Sequence, residues 1–361
     1  MLRLEDLGWN EFFAKQFPRN EQGELLPARV AEENREIYKL LFEQGEAFAE
    51  LAGKLRHEAA SRADLPAVGD WVLVSQRRGG DARGSGRLTI HRVLERRNKF
   101  SRKTAGRKTG EQIVAANVDT ILLVTSMHQE FNLRRVERYL SLAWESGARP
   151  VVVLNKCDLC GEDAIWEVKA EIAKLGVSGL LTSALRGDGI ELLREIVRAG
   201  TSALLGSSGV GKSSLINALL GENLQATRDV RAGDGKGRHT TTSRQMILVP
   251  GGGILIDTPG MRELQLWDAG SGVEQSFADI QKLASECRFR DCRHQSEPGC
   301  AVRAAAEEGE LEAERLASYH KLEREEKFIE AKQDAAVRAA RTKELKRLMK
   351  GVNRFYRDRG R

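Results

Sequence analysis

No apolar run in this sequence approaches the roughly 20 residues that a membrane-spanning helix needs. Acids at Glu5, Asp6 and Glu11 stand where a secretory leader would carry positive charge followed by an apolar stretch. A membrane or exported protein is therefore not expected, and a cytoplasmic monomer is. Cysteine is scarce. Five in 361 residues do not make a disulfide framework, which fits a reducing compartment, where clustered cysteines point to metal. Extremes of composition are also missing. With 41% hydrophobic and 30% charged residues, there is enough apolar material for a core, and wholesale disorder is excluded. The length suggests two or three domains.

Positive charge is present in blocks. The formal net charge is only +6, yet Arg92–Lys108 holds eight Lys/Arg against one acid, and Ala335–Arg361 holds ten against two. The remainder is net acidic. Blocks of this density suit a nucleic-acid backbone; a solvated helix face or a disordered tail is the alternative for each.

The patterning changes along the chain. Residues 1–24 read as an irregular leader. Over 25–115, short alternating runs at Ala28–Ala31, Ile37–Phe42, Ala47–Leu51, Trp71–Ser75 and Leu88–Leu94 are separated by turn residues. They predict a small β-barrel, an oligonucleotide-binding (OB) fold or an SH3-like barrel. Over 116–270, continuous apolar runs at Thr120–Thr125, Pro150–Leu154, Leu180–Thr182, Ala203–Leu205, Met246–Val249 and Ile254–Ile256 alternate with helical patterns. That alternation predicts a mostly parallel sheet covered on both faces. Residues 271–361 are charged and helical, and Glu307–Met349 reads as one or two long helices.

Four groups of residues carry chemistry. Gly206-Ser207-Ser208-Gly209-Val210-Gly211-Lys212-Ser213, followed by Ser214, matches the phosphate-binding loop G-x4-G-K-[ST] between an apolar strand and a helix. Backbone amides and the helix N-terminus suit phosphate oxygens. Lys212 suits the β- and γ-phosphates, and the Ser213 hydroxyl suits Mg²⁺. Ile254–Ile256 ends in Asp257-x-x-Gly260, where an acid can approach Mg²⁺ and a glycine amide can sense the γ-phosphate. Asn155-Lys156-Cys157-Asp158 follows an apolar run, and Ser183-Ala184 follows another. These resemble the motifs that read guanine, where a carboxylate accepts from a donor pair that adenine lacks. Between loop and D-x-x-G, Gly233–Thr242 offers Thr241 (or Thr240 or Thr242) as the residue that joins Mg²⁺ beside GTP. Met261 occupies the place where many GTPases put a glutamine that orients water, and methionine cannot do so. His239 is the nearest substitute, as a catalytic group or as a loop residue that contacts RNA. Finally, Cys287-x4-Cys292-x-His294-x5-Cys300 fits a closed tetrahedral Zn²⁺ site. Cys157 and Cys160 form C-x-x-C, read as coincidence.

The guanine motifs precede the phosphate loop, the reverse of the ordinary sequence. With the barrel before them and Cys3His after them, this order resembles the RsgA (YjeQ/YloQ) family, as do Gly237–Thr242 and Asp257–Glu263. The resemblance covers roughly Pro27–Phe328. It implies a multi-domain α/β protein: an N-terminal OB-fold barrel, a central circularly permuted P-loop GTPase domain and a C-terminal helical zinc-binding domain. It further implies GTP/GDP, Mg²⁺ and one structural Zn²⁺ as ligands, 16S rRNA of the 30S ribosomal subunit as partner, and hydrolysis stimulated by that subunit during its late maturation or quality control. The permutation suggests that a shift at Gly260 pulls through Arg262–Asp268 directly on the zinc domain. An RNA-binding assembly chaperone with incidental hydrolysis is the competing reading.

Overall fold

The computed structural model describes residues 2–17, 25–34, 36–76, 87–103, 111–127, 131–221, 244–258, 270–328 and 331. Five strands form the N-terminal barrel: β1 (Leu26–Asn34), β2 (Ile37–Phe42), β3 (Gly45–Leu51), β4 (Trp71–Gln76) and β5 (Leu88–Val93). They pair in the order β1-β2-β3-β5-β4, and β4 returns to β1 to close the barrel. The β3–β5 pairing is parallel and the others are antiparallel. This is OB-fold connectivity, which settles the choice against an SH3-like barrel. Alternation explains the core: Ala28 and Val30, Tyr38 and Leu40, Val72 and Val74, Leu88 and Ile90 all point inward.

The opposite face of β4 is buried as well, and the N-terminal residues do this. Helix α1 (Glu11–Ala14) is capped by Asn10, whose side chain accepts from the Phe12 amide. Leu7 and Phe13 bury themselves against Trp71 and Leu73. The expected irregular leader is therefore corrected for residues 2–17: Trp9, Phe13 and Trp71 form one aromatic cluster. A short α2 (Gly53–Glu58) lies within the barrel segment, between β3 and β4, and after the barrel comes a hairpin of β6 (Lys99–Lys103) with β7 (Glu111–Ala116). The linear pattern gives no sign of that hairpin. Its charged residues mask the strand pattern, yet Lys99 and Ser101 both pair with Glu111 across it.

The central sheet consists of β8 (Thr120–Ser126), β9 (Arg149–Asn155), β10 (Gly179–Leu181), β11 (Thr201–Leu205), β12 (Gln245–Leu248) and β13 (Ile254–Asp257). Its order is β10-β9-β8-β11-β13-β12, parallel except for β12. Side chains alternate between the two covered faces. Leu122, Val124, Val151 and Val153 meet α5 (Ile190–Arg198) and α6 (Lys212–Leu220). Ile121, Leu123, Val152 and Leu154 pack with α3 (Leu133–Glu145) and Ile172 of α4 (Glu162–Lys174). Among the described residues one bridge, Glu32 to Gln245, continues this sheet into the barrel.

The C-terminal unit comprises α7 (Gly270–Ser276), α8 (Ala278–Ala284), α9 (Ala301–Glu307) and a helix over 313–328. Of the long helices expected over Glu307–Met349, the described residues hold one over 313–328; it begins later than expected because α9 stops at Glu307 and the chain turns before it.

Candidate functional site

Parallel strands in register bring their C-terminal ends to one edge, where open α/β sheets place their sites. Asn155 ends β9, opposite Ser126 of β8. Asp257 ends β13, opposite Leu204, and Gly206 follows β11. Ser183 lies just beyond β10. Segments scattered from 155 to 257 thus converge.

The phosphate loop is held close to the sheet. A Cβ on Gly206 would stand 2.3 Å from the Val124 carbonyl oxygen. Gly211 has φ +96 and approaches Asn155 so closely that a Cβ would lie 2.3 Å from Nδ2. Both positions therefore require glycine. Asn155, itself buried, donates from Nδ2 to the Val210 carbonyl at 2.8 Å and accepts from Thr182 Oγ1 at 3.2 Å. Lys156, in the left-handed region at φ +63, donates from Nζ to the Gly209 carbonyl at 2.7 Å. The guanine-type motif and the phosphate-type loop are thus one hydrogen-bonded unit. Asp158 is fixed in turn: Ser183 Oγ donates to its Oδ1 at 2.6 Å. The Arg186 amide donates to Ser183 Oγ at 3.0 Å.

Lys212 opens α6 and folds back over the loop, donating to the Gly206 and Ser207 carbonyls at 2.6 and 2.8 Å. Burial lowers its pKa, against the opposing charge of Asp257. Asp257 is buried, and the next residue, Thr258, donates to the Leu204 carbonyl. Ser213 and Ser214 occupy the first turn of α6, and both are partly exposed. Ala184 packs against the core beneath α5. The arrangement is a ring of amides, one amine and one buried carboxylate around a loop, suited to a polyphosphate and a divalent cation. His239, Thr240, Thr241, Thr242, Gly260, Met261 and the Ala335–Arg361 block lie outside the described residues.

Cys287, Cys292, His294 and Cys300 come together with every ligand atom within 4.8 Å of the others. Zn–S of about 2.3 Å and Zn–N of about 2.0 Å in a tetrahedron require S···S near 3.8 Å and S···N near 3.5 Å. The Cys287–Cys300 sulfurs are 3.9 Å apart, and His294 Nδ1 lies 3.6 Å from Cys287 Sγ and 3.4 Å from Cys300 Sγ. The donor set fits such an ion. His294 reaches it from the left-handed region at φ +57, and Cys300 also caps α9 by accepting from the Arg303 amide. Between the ligands the loop exposes Arg288, Phe289, Arg290 and Arg293, with the Arg288 guanidinium 5.5 Å from the Phe289 ring centroid.

Sequence reading missed the groups that join these parts. Arg29 is fully buried and donates to the carbonyls of Leu7, Gly69 and Asn117 and to Thr201 Oγ1. Glu137 of α3, also buried, takes hydrogen bonds from Arg134, Arg315 and Ser318. Arg135 donates to Ser207 Oγ at 3.2 Å. No local pattern announces such contacts. The basic block Arg92–Lys108 is partly reassigned: Arg96 is spent on Asp70 and on the Ala63 and Leu65 carbonyls, Arg97 on Asp119, and Lys99 on Glu111. Of these pairs, Arg97–Asp119 reaches the residue that leads into β8, and Lys99–Glu111 closes the hairpin.

The sequence profile of a family described as RsgA GTPase matches residues 93–267. A protein named small ribosomal subunit biogenesis GTPase RsgA from Opitutus terrae is 47% identical over 100% of both chains. One of the same name from Streptomyces coelicolor is 46% identical over 95% of this chain and 92% of its own length. Among solved structures, YjeQ from Thermotoga maritima is similar with a TM-score of 0.62 and 29% identity, over 84% of this chain and 98% of that one. YloQ, described as a circularly permuted GTPase, shares the fold with a TM-score of 0.59 and 23% identity, over 86% and 98% of the two chains.

Proposed function

This chain belongs to the RsgA family, the GTPases of small ribosomal subunit biogenesis, and from that premise we propose which of its residues bind and turn over GTP. The observation that carries the assignment is the fusion of the Asn155–Asp158 segment with the Gly206–Ser213 loop through the Asn155–Val210 and Lys156–Gly209 hydrogen bonds. A base reader and a phosphate cradle joined in this way suit the two ends of one nucleotide.

Asp158, held at one oxygen by Ser183, keeps lone pairs for the guanine ring N–H and exocyclic amine. Adenine lacks that pair of donors and leaves the carboxylate unsatisfied, which costs orders of magnitude in binding. Lys212 exchanges its two loop carbonyls for phosphate oxygens when a nucleotide enters. Ser213 and Asp257 are the groups that hold Mg²⁺, whose chemistry when bound is to neutralise charge on the β- and γ-phosphates. His239 is the proposed aligner of the attacking water and Thr241 the switch ligand to Mg²⁺, both inferred from sequence. Cys287, Cys292, His294 and Cys300 hold a structural Zn²⁺, supported by their mutual distances.

The proposed partner surface is 16S rRNA of the 30S subunit. Support comes from the exposed Arg288, Phe289, Arg290 and Arg293 on the zinc loop, since guanidinium groups suit phosphates and an exposed ring suits an unstacked base. The chain acts there as a monomer. Among the described residues no helix is long and apolar enough to cross a membrane.

GTP turnover with and without purified 30S particles, for wild type, Ser213→Ala, Asp158→Asn and His239→Ala, tests the assignment. Ser213→Ala is expected to abolish turnover. Asp158→Asn should lose GTP affinity by at least about 100-fold. Stimulated turnover should fall in His239→Ala by about 100-fold. Full stimulated activity in His239→Ala removes that residue from the mechanism. Equal wild-type rates with and without particles favour an assembly chaperone over a switch.

A further inference from the structure

Three arginines stand on the first turns of α3, and they divide their work. Arg134 reaches Glu137, Glu312 and Glu314, and Arg138 reaches Glu325. Both face the C-terminal unit. Arg135 turns the other way. Its Nη1 donates to the hydroxyl of Ser207, the residue after the first loop glycine, at 3.2 Å. Among the described residues it has no carboxylate partner, although its side chain is exposed and acids surround its two neighbours. A guanidinium has five N–H donors, and the contact with Ser207 uses one. The helix start beneath it is fixed, because Asn132 accepts the Arg135 amide at 2.9 Å. The group is therefore a charge held in place beside the phosphate loop with most of its donors unspent.

We propose that Arg135 is a positioning residue of the phosphate site: through Ser207 it fixes the first limb of the Gly206–Ser213 loop, and its charge favours the triphosphate over the diphosphate. The proposal rests on the GTPase reading above. The loop wraps the β- and γ-phosphates, and the γ-phosphate adds negative charge at its rim. Two unit charges ~10 Å apart in water change binding by a factor of roughly two, and salt reduces that further. The same helix carries Glu137, to which the C-terminal unit is fastened. Arg135 therefore senses the phosphate loop from the helix that holds the zinc-binding unit.

The test is binding of fluorescent GDP and of a non-hydrolysable fluorescent GTP analogue to the full chain, for wild type, Arg135→Gln, Arg135→Lys and Ser207→Ala, at low and high salt. Arg135→Gln is expected to weaken the triphosphate about twofold to threefold at low salt while GDP changes measurably less. The loss should shrink at high salt, and lysine should recover most of it. Steady-state GTP turnover should show the defect mainly in KM. Ser207→Ala should reduce the effect of the Arg135→Gln change in the double variant. Equal loss of both nucleotides without rescue by lysine, or no loss of either, overturns the proposal. A wild-type chain that binds neither nucleotide overturns the GTPase reading itself, and the two failures are thereby distinct.

Discussion

The barrel and the zinc-binding unit are both fastened to the central sheet through a buried arginine, but by different chemistry. Arg29 enters the sheet from the barrel and gives its hydrogen bonds, among the described residues, to neutral oxygens, the carbonyls of Leu7, Gly69 and Asn117 and the hydroxyl of Thr201, with Asp119 and Asp70 acting on it as nearby charges. Burial lowers its pKa to about 10. Arg315 enters from the C-terminal unit and meets carboxylates: Glu137 at 2.8 Å and Asp279 at 2.6 and 2.7 Å, beside the Ser276 carbonyl. Arg138–Glu325 and Lys174–Glu312 add pairs nearer the surface. Backbone carbonyls cannot change charge or rotate away, so the first joint sets a fixed orientation. Carboxylates can be protonated and screened, so the second joint is the one that can be released. That contrast changes the expected route of coupling. The segment after Asp257 is not the only connection to the zinc-binding unit, because α3 already grips it.

Metal removal should have the largest effect and should separate the two regions. A structural Zn²⁺ contributes on the order of 10 kcal/mol of folding free energy, more than a unit this small can otherwise supply. Chelation should abolish hydrogen-exchange protection over 272–328 and leave β1–β5 protected. Retained protection in both regions would show that the Cys3His cluster is not what organises the C-terminal unit.

Next in size is Arg315→Ala. It leaves Glu137 buried with Arg134 and Ser318 alone, a loss of about 3–5 kcal/mol. Hydrogen exchange should place that loss in α7, α8 and the 313–328 helix. Arg29→Met should cost less, about 2–4 kcal/mol, because three carbonyls lose a donor while the expense of burying a cation disappears. Its loss should appear at β1, β11 and residues 2–17. If both variants destabilise the same segments, the two joints are one cooperative unit and the distinction fails.

The smallest effect is one of pH. Burial acts to raise the Asp279 pKa, but the hydrogen bonds and charge of Arg315 outweigh it, and the net shift is downward. A carboxylate with a lowered folded pKa contributes stability that is full above its unfolded pKa, near 3.9. That contribution is lost as pH falls through the lower folded value. Acidification below about pH 4 should therefore weaken docking of the C-terminal unit, and Asp279→Asn should flatten that slope. An unchanged slope in the variant would assign the acid sensitivity to another group.

Much of this was legible in advance where geometry is local. The phosphate loop needs only a strand, a glycine-rich turn and a helix in succession, and Gly206–Ser213 supplies all three. The strands at 120–126, 149–155 and 201–205 announce themselves as β-branched and leucine runs. Cys287–Cys300 lies within fourteen residues, so its spacing already limits the geometry. The β6–β7 hairpin was hidden because Lys99, Ser101 and Glu111 satisfy one another across the strands, and nothing in the linear pattern marks such pairing. The docking of residues 2–17 was hidden for a similar reason. Leu7, Trp9 and Phe13 look like stray apolar residues until Trp71 offers them a surface.

By itself the sequence determined which chemistry the chain carries and in what order. Guanine-type motifs come before the phosphate loop and a thiol–imidazole cluster after it, because each is a short segment with its own geometry. The tertiary structure alone decided what those segments do to one another. Arg29 meets Thr201 across 172 residues and Arg315 meets Glu137 across 178, and α3 places Arg135 beside Ser207. Such contacts are made when strands and helices pack, and their energies depend on burial and on the partner. A linear pattern fixes neither.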